Sequence, residues 1–513
     1  MALLGFLVTY QSLSLWPQSI IAGALLWMSW YTWTFFLVPW WNSDEPKELP
    51  YWIPVIGHIK KMMTDAHGLI SYGREYFGNT REPFSMTVMG QSMYFVTSPD
   101  DVVTVYKNPV ALDYNPFIKE VFLGLGLSQP TIDKMYDENY KSGKHFVDVM
   151  HENFKLQMHP GEKLDILQTS LLGYIYDALH WGKLSSLAGH SNDSNEKIVS
   201  LYKWSEEVVV DAATRAFLDP VIYELAPDLL PEFAVFDVES WKLALEFPDF
   251  AARRMYASKR YMEKAMTKYM ALPEEKRSKE SWLIRTMING LNELGLDPQD
   301  SAPAFFTLYR TTNINAHKIA FWLMAYMLFD NDLLSRIRAE ILSGFGSSDS
   351  LNITYLLESC PLLNSAYEET LRITDWPVGV RTVMAPFTLH GKRLRPGRKL
   401  LMHYRQMHFD PAVFGDDATC FNPERFMRNK SLERSTSYRP FGGAGTYCPG
   451  RFLARREILL FVAVLLKRFD ISLVEKNGKA PRFPRLDDGL PTGGVIAPVF
   501  GDDVLLKVRP LKS

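Results

Sequence analysis

From Ser19 to Trp41 the chain is almost wholly apolar, and no charged residue stands before Asp44. Roughly 20 consecutive apolar residues suffice for a helix to cross a hydrocarbon core of about 30 Å. The pattern therefore predicts a transmembrane helix over about 19–41, rich in tryptophan (Trp27, Trp30, Trp33), with Trp40 and Trp41 in the interface belt. A cleaved leader would need a basic start and a small-residue cleavage site, and this stretch has neither. Lys47, Lys60 and Lys61 follow the span, which places the bulk of the chain on the cytosolic side. Next, Pro46, Pro50 and Pro54 stop the helix and hold extended backbone, as a hinge would. The expected division is an anchor over 1–45 and a folded body over 46–513.

Beyond the hinge, Met86 to Val96 alternates around Gly90 and predicts a hairpin. Ser98-Pro99-Asp100-Asp101 caps a helix that runs through Tyr106. Residues 113–135 mix aromatics, glycine and proline and read as a loop. Helical spacing dominates from Asn139 to Glu340, with a polar break at 191–196 and an aromatic-rich stretch at 235–250. One long apolar helix is predicted over 302–329. Short strands follow at 381–383, 387–391 and, past the turn Arg395-Pro396-Gly397-Arg398, at 399–404. A further long helix covers 451–468. The sum is a mostly α protein with a smaller β region.

Composition narrows the function little. Lys and Arg number 56 against 58 Asp and Glu, a balance with no nucleic-acid footprint. Three cysteines, Cys360, Cys420 and Cys448, cannot build a disulfide framework and suit a reducing compartment. Cys360 and Cys420 read as structural. Cys448 differs, because it closes the run Phe441-Gly442-Gly443-Ala444-Gly445-Thr446-Tyr447-Cys448-Pro449-Gly450. Glycines let a backbone pass close to a flat ligand. Pro449 suits the first turn of a helix. Cys448 is thus expected at a helix N-terminus, where free N–H groups and the dipole favour a thiolate. A thiolate so presented can bind a metal, with haem iron the candidate.

This loop resembles the cysteine-ligand loop of the cytochrome P-450 superfamily, Phe-x-x-Gly-x-Arg-x-Cys-x-Gly. Phe441, Cys448 and Gly450 match, while Ala444 and Thr446 stand where that pattern has Gly and Arg. The missing Arg usually meets a haem propionate, so that contact is expected from elsewhere: Arg381 first, then His408 and Lys144, with Phe441 beside the cofactor. Glu369 and Arg372 lie three apart on one helix face and match the family's Glu-x-x-Arg. Pro423-Glu424-Arg425-Phe426 matches its Pro-Glu-Arg-Phe, so Arg425 would complete a buried Glu–Arg–Arg network that fixes the loop. From about Leu363 to Phe469 the chain looks most like the branch holding sterol 7α- and 12α-hydroxylases and prostacyclin synthase.

Aligned on Phe321-Trp322, the family's helix threonine falls on Asn315 and its acid on Ile314. The acid–alcohol pair that delivers protons is therefore absent, and Asn315 is the expected catalytic residue. The resemblance implies a cytochrome P-450 fold with an N-terminal transmembrane helix, carrying haem b (iron protoporphyrin IX) on Cys448. It implies electrons from NADPH–cytochrome P-450 reductase, met by the basic residues Arg451, Arg455 and Arg456. It also implies a single pass in the endoplasmic reticulum membrane with a cytosolic catalytic domain. The expected reaction is oxidation of an apolar polycyclic sterol, terpenoid or other natural product, as in secondary metabolism. Phe117, Phe122, Phe306, Val378 and Val495 are the expected substrate contacts. Two alternatives stand beside it. One is a haem-thiolate isomerase or dehydratase that works on an oxygenated substrate without NADPH. The other is a non-catalytic haem-binding protein.

Overall fold

The computed structural model describes residues 15–141, 143–184, 195–346, 350–475, 480–490 and 492–511. The polar break expected at 191–196 falls largely outside them. Most of the described chain is helical, with ten short strands. Its contacts divide it into two units: Met1–Tyr114 with Val380–His403, and Asn115–Gly379 with Tyr404–Ser513.

The first unit opens with an apolar helical stretch, Trp16–Trp41, of mean hydropathy 1.4 and with none of it buried in the protein. It is the one helix among the described residues long and apolar enough to cross a membrane. Its aromatic residues meet the proline-rich segment that follows. Trp27 stacks on Trp52 with ring centres 5.5 Å apart, and its indole Nε1 donates to the Trp52 carbonyl at 2.7 Å. The expected hairpin is present as Phe84–Val88 paired antiparallel with Gln91–Val96. Its turn uses positive φ at Met89 (50°) and Gly90 (78°), the twist that two-residue hairpins require. These strands extend into a five-stranded sheet in the order Phe84–Val88, Gln91–Val96, Lys399–His403, Val378–Val383, Leu112–Asp113.

The second unit is built around helix Arg451–Arg468. Every residue from Leu459 to Leu466 is 0 % exposed. A helix apolar on all faces belongs in the middle of a large core, and this one packs among helices Glu162–Ala178, Ala316–Leu328 and Asn331–Leu342. A small sheet of Lys197–Ser200, Leu505–Pro510 and Phe469–Leu473 continues from its C-terminal end.

Two stretches differ from the sequence reading. Residues 113–135 hold two helices, Asn115–Gly124 and Gln129–Met135, rather than a loop. Ser128 caps the second, its Oγ accepting the Thr131 N–H at 3.2 Å, and Pro130 is harmless within the first turn. The long helix expected over 302–329 is instead two, Pro298–Asn313 and Ala316–Leu328, interrupted at Ile314 and Asn315. Side chains that turn back on helix carbonyls cluster just before the break. Thr312 Oγ1 reaches the Leu308 and Tyr309 carbonyls, and Asn313 Nδ2 reaches Tyr309 at 2.9 Å. Such back-bonding competes with the helix's own ladder and bends it. In the aromatic stretch over 235–250, Phe236 is buried while Val238 and Phe250 are exposed.

Candidate functional site

The segment ending in Cys448 is a closed loop. Gly442 has φ 76° and Ala444 φ 50°. The left-handed conformation is natural at the first and costs energy at the second, where the pattern of the resemblance has glycine. A 3₁₀ turn, Ala444–Thr446, follows, and the Cys448 N–H returns to the Phe441 carbonyl at 3.0 Å. Phe441 thus serves the loop through its backbone. Helix Arg451–Arg468 starts three residues beyond the cysteine. Arg451 Nη1 donates to the Cys448 carbonyl at 2.9 Å, and its guanidinium lies over the rings of Tyr447 and Phe452 at 4.4 and 4.3 Å. Burial pushes the Cys448 thiol up, while the Gly450 and Arg451 N–H groups and the Arg451 charge pull it down. The expected helix-end contribution is there, and burial outweighs it.

Around Cys448 the residues fit a thiolate-ligated haem. A Cβ built on Gly450 would lie 3.8 Å from Cys448 Sγ and 3.7 Å from Met158 Sδ. Apart from its own chain neighbours, no heavy atom lies within 4 Å of the place a Gly445 Cβ would take, so the loop is open at this glycine, near one soft sulfur donor. His151 sits against the Gly445 backbone, and its Nε2 is buried without a hydrogen-bond partner. His151 was not singled out from the sequence; only its position in the helix Phe146–Met158 brings it here.

Behind the loop is the ion-pair network. Arg372 Nε and Nη2 reach the two Glu369 oxygens, each at 2.7 Å, and Arg425 Nε reaches the same carboxylate at 3.1 and 3.2 Å. Glu369 and Arg372 are fully buried and Arg425 is 7 % exposed. The remaining guanidinium hydrogens go to carbonyls of His408, Ala418 and Cys420 from Arg372, and from Arg425 to carbonyls of Phe414, Asp417 and Cys420 and to the Asp417 carboxylate at 2.8 Å. Full satisfaction of this kind is what makes a buried ion pair tolerable.

Among the other residues named from sequence, several have firm partners. Lys144 Nζ pairs with Glu152 at 2.7 Å on the surface. Arg381 is buried between the rings of Tyr106 and Tyr114, each 5.1 Å away, and its Nη1 donates to the Val380 carbonyl. His408 is fully buried, its Nε2 accepting the Arg439 N–H at 3.0 Å, so it belongs to the network behind the loop. Arg455 Nη2 donates to Asn364 Oδ1 at 2.8 Å and Arg456 pairs with Asp165 at 3.2 Å. Phe306 is fully buried, edge-on to Phe236 at 5.2 Å. Val495 is 4 % exposed. Phe117 and Phe122 share the helix Asn115–Gly124, half-buried, and Val378 begins its strand, also half-buried.

Asn315 occupies the helix break. Its Oδ1 accepts the Val495 N–H at 3.0 Å. A Cβ on Gly494 would sit 2.4 Å from that oxygen, a distance only glycine permits. The same C-terminal segment is held further by Trp322 Nε1 on the Ile496 carbonyl (2.7 Å), Ile496 N–H on Thr374 (2.9 Å) and Trp376 N–H on Gly494 (2.9 Å).

A second polar cluster was not read from sequence. Lys318 Nζ is 2.8 Å from Asp237 Oδ1, and His317 Nε2 is 3.4 Å from Asp237 Oδ2, all buried, with Glu206 beside them. Burial opposes ionisation of Asp237, yet Lys318 and His317 hold it down to about 2. Burial and the Asp237 charge push Glu206 up to about 8. Lys318 already supplies the positive charge here, so the cluster reads as an ion-pair network. Its signal was available: His317 and Lys318 interrupt an otherwise apolar helix pattern.

A cysteine on a glycine loop, backed by a satisfied Glu–Arg–Arg network, is an arrangement that a thiolate-ligated haem would fit. Residues 318–494 match the family described as Cytochrome P450. The chain is similar to the cytochrome P450 monooxygenase poxD of Penicillium oxalicum, 24% identical over 465 residues, covering 87% of this chain and 91% of that protein. It is 25% identical over 467 residues to a cytochrome P450 monooxygenase of Gibberella zeae, covering 86% of this chain and 84% of that one. It is also 28% identical over 238 residues to cholesterol 7-alpha-monooxygenase of Cricetulus griseus, covering 42% and 46% of the two. The match and these relatives support the cytochrome P450 superfamily and an oxidoreductase of the monooxygenase type.

Proposed function

We propose that this protein is a membrane-anchored monooxygenase that hydroxylates or otherwise oxidises an apolar polycyclic substrate, of sterol, terpenoid or related natural-product class. One observation carries the reading: Cys448 is presented at a helix start by a loop locked through Phe441 and backed by Glu369, Arg372 and Arg425. Cys448 would hold haem b through its thiolate, and the chemistry the group would supply there is dioxygen activation. The protein's part is to hold and orient. The Gly442–Gly445 loop lets the flat group approach; the ion-pair network keeps the loop in one place; Arg381, buried beside Tyr106 and Tyr114, is the proposed propionate partner. Phe117, Phe122, Phe306, Val378 and Val495 are the proposed substrate contacts. Asn315 is the proposed catalytic residue.

The apolar stretch Trp16–Trp41 supports a single-pass anchor, and the endoplasmic reticulum membrane with a cytosolic body is the proposed address. NADPH–cytochrome P-450 reductase is the proposed electron donor. Arg451, Arg455 and Arg456 are the proposed docking residues, each also bonded within the chain, to the Cys448 carbonyl, Asn364 and Asp165 in turn. Relatives named monooxygenases, including one for cholesterol, support the reaction and the substrate class.

The decisive experiment has two steps. The reduced, carbon monoxide-bound protein is expected to show the red-shifted band of a thiolate-ligated haem. NADPH oxidation with added reductase is then expected to rise with substrate and to yield oxygenated product. A second reading draws on Ile314, which leaves no carboxylic acid at the helix break. Under it, the enzyme rearranges an oxygenated substrate without reductant. Full conversion under anaerobic conditions with no NADPH would select that reading.

A further inference from the structure

We infer that Glu206, Asp237, His317 and Lys318 form a proton-dependent latch, in which a proton held on Glu206 keeps helix Leu229–Glu239 tied to the core helices Leu201–Leu218 and Ala316–Leu328. None of the four residues belongs to the loop or the ion-pair network around Cys448.

The four side chains come from these three helices, and each residue is at most 8 % exposed. A carboxyl oxygen of Glu206, one of Asp237 and a ring nitrogen of His317 lie within 4.8 Å of one another. One permanent cation serves them. Lys318 Nζ donates to Asp237 Oδ1 at 2.8 Å, joining residues 81 apart in the chain. His317 brings no charge, because burial pushes its ring below the usual value, and both of its nitrogens are buried without a hydrogen-bond partner. Two carboxyl groups this close in a core, with one ammonium to serve both, cannot both ionise without a large penalty. Asp237 has the cation and keeps its charge. Among the described residues no cation pairs with Glu206, so Glu206 keeps its proton up to about pH 8.

The other groups that face Glu206 do not supply the missing charge. On its own helix Lys203 and Glu207 are exposed and opposite in sign. Burial keeps the phenols of Tyr202 and Tyr309 neutral. Arg310, on helix Pro298–Asn313, feels Asp237 but makes no ion pair among the described residues. Asp503 is engaged with Ser200 and the Tyr202 N–H. Helices Glu162–Ala178, Trp282–Glu293 and Arg451–Arg468 also pack on helix Leu201–Leu218, and their buried residues are uncharged types except Glu457, which burial keeps protonated.

Helices Leu201–Leu218 and Ala316–Leu328 pack directly on each other, so Glu206 and Lys318 stay neighbours. Helix Leu229–Glu239 packs chiefly on helix Arg253–Met270 and meets this pair through Asp237. An ionised Glu206 repels Asp237 and competes with it for Lys318. The helix that carries Asp237 is then the one that loosens. Once it has, Glu206 returns towards its ordinary value of 4.5. Opening therefore releases a proton between about pH 4.5 and 8, and rising pH favours it by at most about tenfold per unit.

Hydrogen exchange of the full-length protein tests the latch, read on residues 229–239 between pH 6 and 8 and corrected for the intrinsic rate. In the wild type, protection there is expected to fall by about 10-fold over that range, within the limit set by release of one proton. Glu206→Gln keeps the shape of the protonated acid but cannot ionise, so its protection should stay level from pH 6 to 8. Glu457→Gln alters a different buried acid and should leave the fall at 229–239 in place. The latch is overturned if the wild type, which needs no variant to fold, shows no fall, or if Glu206→Gln keeps it. It is overturned too if Glu457→Gln abolishes the fall, since the loss would then report unfolding of the whole chain.

Discussion

The Arg439 N–H donates to His408 Nε2 at 3.0 Å, while the His408 carbonyl accepts Arg372 Nη1 at 2.8 Å. One buried histidine thus ties the ion-pair network to the stretch of chain that leads into the glycine loop at Phe441. Burial, with the charges of Arg372 and Arg405 nearby, pushes the ring down to about 3. It is neutral at working pH, as an acceptor of a backbone N–H must be.

Cys448→Ser is expected to abolish the red-shifted carbon monoxide band, because only a thiolate produces it. Cys360 is buried and Cys420 exposed, and neither is paired. Cys360→Ser and Cys420→Ser should therefore leave the band in place. Its survival in the Cys448 variant would refute the ligand assignment.

Arg372→Ala would leave the Glu369 carboxylate buried with one of its two guanidinium partners gone. Losing one member of a buried pair costs on the order of 3–5 kcal/mol. Poor haem incorporation and a lowered unfolding midpoint are expected in the purified protein. Haem content and midpoint equal to wild type would show that the network does not hold the loop.

Gly494→Ala is expected to push the C-terminal segment off Asn315, since the new methyl would begin 2.4 Å from Oδ1. The cost should resemble core overpacking, about 1–3 kcal/mol. Faster hydrogen exchange at Val495 and Ile496, with the carbon monoxide band retained, is the expected signature. Unchanged exchange would mean that the segment accommodates a side chain without moving.

Glu457 supplies a pH dependence. It is 2 % exposed, its Oε1 has no hydrogen-bond partner, and burial pushes its pKa up to about 8 from 4.5. Between pH 4.5 and 8 the folded chain holds a proton that the unfolded chain has lost, so this group makes stability fall as pH rises through that window. Glu457→Gln removes that dependence. Measured by thermal unfolding, the variant should gain relative to wild type as pH rises from 5 to 8, by on the order of 1–3 kcal/mol. A gain independent of pH would place the titrating group elsewhere.

A chain starting at Pro46 would lose the helix Trp16–Trp41 and uncover the face of Trp52 now stacked on Trp27. It is expected to leave the membrane pellet for a soluble or salt-extractable fraction with its haem retained. Carbonate-resistant membrane binding of that shortened chain would reveal a second embedded element, with the exposed Val238 and Phe250 the first to test.

Much of this was legible in the residues. The loop from Phe441 to Gly450, the spacing of Glu369 and Arg372, and the helix over 451–468 are local patterns, set by backbone sterics and side-chain periodicity. The hairpin around Gly90 was legible for the same reason. The two helices inside 115–135 were missed because glycine and proline there act as caps and first-turn residues, roles that depend on where the helix begins. The break at Asn315 was missed because apolar periodicity runs straight across it.

The sequence by itself determined the long apolar helix Trp16–Trp41, the glycine loop ending in Cys448 and the mostly helical class, since each is carried by residues close together in the chain. Only the tertiary structure decided what partners distant residues would find. Arg455 and Arg456 turned to Asn364 and Asp165, Lys144 to Glu152, and Arg381 to a pair of tyrosine rings. It also brought Val495 to Asn315 across 180 residues. A charged or polar side chain in the core must be satisfied by whatever the packing brings within about 3 Å, and that choice depends on the whole fold.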